Sequence, residues 1–141
     1  MTDAAHNIEI EVNTRYLQEH SDPTSGRYAF AYTIDITNRG EAKVKLLNRH
    51  WRITDDNNRV EEVRGPGVVG QQPEIGPGQS FQYTSGAIIG TQTGTMQGSY
   101  ELVTDSGDRF TTPIPAFLLA PPYTCLLYTS PSPRDVEESR M

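Results

Sequence analysis

Residues 63–73 read Val63-Arg64-Gly65-Pro66-Gly67-Val68-Val69-Gly70-Gln71-Gln72-Pro73, and the choice of fold turns on this stretch. Gly65, Gly67 and Gly70 have the spacing G-x-G-x-x-G of a dinucleotide-binding fingerprint. That fingerprint needs a strand before it, a helix opening at its third glycine, and an acidic residue about 20 positions later for the ribose. Residues 59–64 can supply the strand. The helix is missing, because no helix of ordinary length passes Pro73, Gly76, Pro77 and Gly78. Without a helix N-terminus there is no dipole and no row of free N–H groups for a pyrophosphate. The acid is missing too: at the required distance stands Ser85-Gly86-Ala87-Ile88-Ile89. The stretch therefore reads as a glycine loop between strands, with glycine supplying positive φ and close backbone approach. Phosphate binding by Gly65, Gly67 and Gly70 is the alternative. A loop that carries apolar Val68 and Val69 beside Gln71 and Gln72 is also a candidate surface for contact with a partner.

On either side of this loop the chain alternates with period two. Ile8, Ile10 and Val12 oppose Glu9, Glu11 and Asn13, which predicts a half-buried strand over 8–16. Over 27–38, Tyr28, Phe30, Tyr32, Ile34 and Ile36 share one face, and Asn38-Arg39-Gly40 closes the strand as a turn. That aromatic stripe reads as core rather than a base-stacking platform, since no basic residues interleave with it. Residues 44–55 form the next strand with Val44, Leu46, Trp51 and Ile53 inward, and the adjacent Leu46 and Leu47 suggest a bulge. Asp55-Asp56-Asn57-Asn58 is a turn, and 59–63 return as the hairpin partner. Ile75-Gly76-Pro77-Gly78-Gln79 reads as a second turn cluster, 80–84 as a short strand with Phe81 and Tyr83 on one face, and 85–94 as a connection. Residues 95–104 alternate again, with Met96, Gly98, Tyr100 and Leu102 together, and Asp105-Ser106-Gly107-Asp108 turns into a last strand over 109–120. Pro113 and Pro115 mark that strand as an edge. About seven short strands and no helical period predict an all-β antiparallel sandwich of the fibronectin type III or immunoglobulin-like kind. With one cysteine, Cys125, it has no internal disulfide.

The chain has 141 residues and a formal net charge of −6, enough for one domain but without the basic face of a nucleic-acid binder. The same balance disfavours anionic membranes, and no apolar run approaches the length of a span, so no membrane insertion is expected. The first residues lack the basic and apolar regions of a signal peptide, which makes a cytoplasmic location the simplest expectation.

Four separated motifs then carry a family resemblance: His50-Trp51-Arg52-Ile53-Thr54-Asp55, Gly65 to Pro73, Pro77 to Gly86, and Gly94 to Tyr100. In order and spacing they closely resemble the bacterial ApaG proteins, over roughly 8–123. The resemblance implies a small fibronectin III-like sandwich, no established enzymatic activity, and an association with cobalt and magnesium efflux. In eukaryotes the domain looks like a protein-interaction module. The G-x-G-x-x-G belongs to the family, so it does not revive the cofactor reading. The domain is placed at 1–123. Residues 124–141 resemble translated adapter or vector sequence, a native disordered tail being the alternative, and are set aside.

Other chemistry is thinly encoded. His6, His20 and His50 are scattered with no cysteine partner, so no zinc site is local. A divalent-cation site built from His50, Asp55, Asp56 and Asn57 lacks the glycine and distal glutamate of a calcium loop, and the Asx run reads as a plain turn. Glu61-Glu62 reads as a solvated acidic pair. No serine sits in a G-x-S-x-G elbow. The expectation is a non-enzymatic binding module without cofactor. Its partner is a protein, met through Val68, Val69, Gln71 and Gln72, with weak homodimerisation through an edge strand left open. The alternatives are a nucleotide or pyrophosphate binder using the glycine loop and a direct divalent-cation binder.

Overall fold

The computed structural model describes residues 7–122. Residues 124–141, with Cys125, and also His6, lie outside them. Eight strands form among the described residues: β1 (Ile8–Tyr16), β2 (Tyr28–Asn38), β3 (Val44–Asp55), β4 (Val60–Pro66), β5 (Glu74–Ile75), β6 (Ser80–Ile89), β7 (Gly94–Thr104) and β8 (Arg109–Leu119). They make two antiparallel sheets, one ordered β1-β2-β6 and the other β4-β3-β7-β8 with β5 added to β3. The two inner faces meet in one core. On β2 the alternation translates directly into burial: Phe30, Tyr32, Ile34 and Ile36 are all buried, so the aromatic stripe is core.

The adjacent leucines of β3 do mark a bulge. Leu46 pairs with Leu102 but Asn48 with Glu101, so β3 carries an extra residue between them. The bulge switches parity. Before it the even residues Val44 and Leu46 face the core; after it Trp51 and Asp55 do. His50 and Arg52 are thereby turned to solvent. A second bulge lies in β8, where Ile114 pairs with Gly98 but Phe117 with Met96, so β8 holds the extra residue beside Pro115. With Pro113 and Pro115, β8 is the edge strand that the sequence predicts.

Two sequence expectations are corrected. The connection placed at 85–94 is mostly strand: β6 runs to Ile89, and Ser85, Ala87 and Ile89 pair with Tyr32, Phe30 and Tyr28. Gly86 makes this segment look like a loop, yet it lies on the solvent side, and burial of Ala87 and Ile89 outweighs its weak strand propensity. Ile75, read as part of a turn, pairs with Val44 as β5 and is buried. A two-residue strand is too short for period-two reading. Asn38, where the strand was expected to close, ends β2 with 0% exposure. Its Nδ2 donates to Ala42 O (2.8 Å) and Ile75 O (2.9 Å), and its Oδ1 accepts from Gly40 N–H (2.9 Å). The buried amide thus ties β2 to β5, with its hydrogen-bonding capacity engaged as burial requires.

Candidate functional site

Each glycine of the G-x-G-x-x-G has a structural role. Gly65 lies in β4 opposite Arg49, and a Cβ there would come 3.1 Å from the Arg49 Nη1. Gly67 has φ +63°, and a Cβ would sit 2.1 Å from Gln71 O, well inside contact distance. Gly70 has φ +80° with open space around it, and with Val69 (φ 42°) forms the centre of a tight turn. Val68 and Gln71 close that turn reciprocally, Val68 N–H donating to Gln71 O (2.8 Å) and Gln71 N–H to Val68 O (2.9 Å). Gly67 N–H donates to Leu47 O (2.8 Å). The amides of Gly67, Val68 and Gln71 are therefore already engaged within the protein, and β5 follows the loop rather than a helix.

The loop is also pinned from below. Val68 is 0% exposed and belongs to the core. This corrects its expected place on a contact surface: an apolar pair in a loop splits, one residue anchoring and the other facing out. Val69 is 50% exposed, and Gln71 and Gln72 are exposed beside it. Gln72 Nε2 donates to Leu47 O (3.0 Å), which steadies that flank. Arg49 holds the other side, its Nη1 donating to Pro66 O (3.1 Å) and Gly67 O (3.0 Å).

Arg49 follows the core-facing parity of β3 and reaches toward three tyrosine hydroxyls. Burial pushes the hydroxyls of Tyr32, Tyr83 and Tyr100 above the ordinary tyrosine range, and the Arg49 guanidinium partly opposes the shift. The hydroxyls of Tyr83 and Tyr100 share a hydrogen bond across the two sheets. All three therefore stay neutral at physiological pH. Trp51 packs edge-on to Tyr32 (5.4 Å between centroids) and Phe117 (5.8 Å) and carries the floor of this end of the core.

Outside, the five-stranded sheet presents an open face. His50 pairs in register with Arg64 on one side and Ser99 on the other, and Arg52 with Glu62 and Gln97. Glu62, expected as a plain solvated acid, is the hub of this face. Its Oε1 lies 3.1 Å from His50 Nε2 and 3.5 Å from Arg64 Nη2, and its Oε2 accepts from Arg52 Nη2 at 3.2 Å. These hydrogen bonds, from His50 first and then Arg52, hold its carboxyl below the ordinary range. Glu101 is lowered likewise by Asn48 and Arg109. Two shallow depressions, of about 500 and 440 Å³, adjoin at His50 and Ser99. The first runs past Asn48, Arg49 and Arg64 to Gly65 and Pro66 at the root of the glycine loop, and the second past Arg52 and Gln97 to Pro113 and Pro115. Arg49 and Arg52 were not legible as site residues, because their faces depend on the bulge in β3, and Arg64 was not because its pairing with His50 comes only with the hairpin register. The adjacent leucines were the signal that placed the bulge.

The residues of the cation alternative do not converge. His50 and Asp55 are five apart along β3, roughly 16 Å at strand rise, and face opposite sides. Asp55 Oδ1 accepts from Asn57 N–H (2.8 Å) and Arg59 N–H (2.9 Å), closing the turn. Asp56 accepts a hydrogen bond from the Thr93 hydroxyl. Among the described residues, no group of three or more His, Cys, Asp or Glu is placed to hold a metal.

Comparison with known proteins agrees with this architecture. The family model described as the ApaG domain matches residues 18–104. Protein ApaG of Pseudomonas putida is 56% identical over 122 residues, covering 86% of this chain and 97% of the relative. Protein ApaG of Stenotrophomonas maltophilia is 54% identical over 117 residues, covering 83% and 92%. A crystal structure from Bordetella pertussis, described under the name ApaA, superposes with a TM-score of 0.80 at 50% identity, covering 82% of this chain and 94% of its own.

Proposed function

The chain belongs to the ApaG family, and we propose that it works as a non-enzymatic module that binds a protein partner through the glycine loop and the sheet face beside it. The observation that carries this is the loop's construction. Val68 in the core, the Val68–Gln71 hydrogen bonds and the Arg49 clamp hold a turn that presents Val69, half exposed, with Gln71 and Gln72. A preordered turn loses little entropy on binding, which is what a contact loop needs. The nucleotide reading has lost support, since the amides of Gly67, Val68 and Gln71 are engaged and no helix opens at Gly70.

Within the same reading the module acts in the cytoplasm, and its partner connects it to cobalt and magnesium efflux. No helix among the described residues is long and apolar enough to cross a membrane. Any weak self-pairing falls to β6, an edge strand with neither proline nor a charged residue. The test is capture of partners from an extract of the native cell, with the wild-type chain beside Val69→Asp and Gln71→Ala/Gln72→Ala. A partner retained by the wild type and lost in both variants supports the module. A partner set unchanged by either variant removes the loop from the account.

A further inference from the structure

We propose that the outer face of the five-stranded sheet around His50, Arg52 and Arg64 receives an extended acidic segment of the protein partner. The inference rests on the reading of this chain as a protein-binding module and adds the chemistry of what is bound. The whole chain is acidic, at −6, yet this face is not. The guanidiniums of Arg52 and Arg64 face the single carboxylate of Glu62, leaving a surplus of one positive charge. Glu101 is matched by Arg109 (3.4 Å) and Asn48 (2.7 Å). Meanwhile the outer face of the other sheet sets Glu9, Glu11 and Asp35 against Arg15 and the Arg39 paired to Glu9 (2.7 Å), a surplus of one negative charge. The two faces thus carry opposite surpluses of one charge, which biases the way an acidic partner meets the sandwich.

Geometry favours a chain of carboxylates over one small anion. Arg52 and Arg64 each use one nitrogen on Glu62, and a guanidinium has five N–H donors in a planar fork. Both side chains are at least half exposed, so the remaining donors face solvent and suit bidentate carboxylate binding. The two depressions meet at His50 and Ser99 and make one trough from Pro66 toward Pro115. From Asn48 to Arg52 alone that is roughly 13 Å, the length of about four extended residues. Ser99, Gln97 and Thr111 line it with neutral hydrogen-bonding groups.

The probe is a capped hexaglutamate peptide, titrated into the full chain at low salt while the Nε–H signals of Arg52 and Arg64 and the amides of His50 and Ser99 are followed by NMR. Saturable shifts on this face are expected, with affinity falling roughly tenfold or more in Arg52→Glu/Arg64→Glu and on raising salt to physiological strength, where the Debye length is ~8 Å. Arg52→Gln/Arg64→Gln, which adds no repulsion, should weaken binding to an intermediate degree. Any of three results overturns the proposal: no saturable shift, equal shifts with capped hexalysine, or equal affinity for inorganic phosphate, which would mark a free-anion site. The module reading fails separately. A partner captured through Val69 but indifferent to salt and to both arginine pairs leaves the module standing and overturns the acidic segment.

Discussion

Gly67→Ala should cost several times more stability than Gly70→Ala, although both residues occupy the left-handed region and stand in the same motif. At Gly70 a Cβ meets nothing within 4 Å, so only the conformational term applies, about 1 kcal/mol. At Gly67 the same term applies, but the Cβ also lands 2.1 Å from Gln71 O and 2.9 Å from its carbonyl carbon. The backbone must give by about an ångström, and it cannot do so without loosening the two Val68–Gln71 hydrogen bonds and the core seat of Val68. Two hydrogen bonds contribute about 1 kcal/mol each, and partial exposure of a buried valine adds about 1 kcal/mol more. The expected loss is ~3–5 kcal/mol for Gly67→Ala, a fall in Tm of ten degrees or more for a domain of this size. Urea unfolding followed by tryptophan fluorescence reads both variants, since Trp51 is buried in the core. Equal costs at the two positions, within about 0.5 kcal/mol, would refute the assignment of close backbone approach at Gly67 and reopen the glycines as a ligand cradle.

Asn38→Ala should lose ~2–4 kcal/mol in the same unfolding assay, because it strands the carbonyls of Ala42 and Ile75 and the amide of Gly40; a loss under 1 kcal/mol would mean water replaces the side chain. Burial raises the folded hydroxyls of Tyr32, Tyr83 and Tyr100 above the ordinary value of 10.0. The stability this reflects is complete below that value and is lost as pH climbs past it, because the unfolded tyrosines ionise first. The urea midpoint should therefore hold to pH about 10 and fall above it, more gently in Tyr100→Phe. Glu62→Gln should leave stability nearly unchanged, as an exposed carboxylate, yet tighten hexaglutamate binding by removing the one acid among Arg52, Arg64 and His50. Weaker binding in that variant would show that Glu62 positions the arginines rather than competing with the ligand.

Strands were legible wherever apolar residues recurred over several pleats. Tyr28 to Ile36 needed nothing beyond period two, and Leu46-Leu47 disclosed the bulge. Pattern failed where it was short or crossed by glycine: Ile75 had no apolar neighbour at the right spacing, and Gly86 hid the second half of β6. It also failed where one residue type admits two fates. Val68 and Val69 are identical in chemistry, and only the turn geometry sends one inward. Side-chain direction after the bulge decided the site. Arg49 turns to the tyrosines while His50 and Arg52 turn out, a distinction fixed by pairing register with β7 rather than by local composition. The rejection of the nucleotide reading, by contrast, rested on proline and glycine after Gly70, where backbone chemistry admits no helix.

Whether the glycine loop is a finished turn or an open cradle can be read from its amides. A proton–nitrogen correlation spectrum of the full chain, recorded with and without a magnesium nucleoside triphosphate and then by hydrogen exchange, addresses Gly67, Val68 and Gln71 individually. Their engagement with Leu47 O, Gln71 O and Val68 O should leave all three slow to exchange and unmoved at millimolar nucleotide, with Val69 exposed and free to meet a protein. Saturable shifts confined to these amides, with fast exchange before ligand is added, would contradict the turn and return the motif to phosphate.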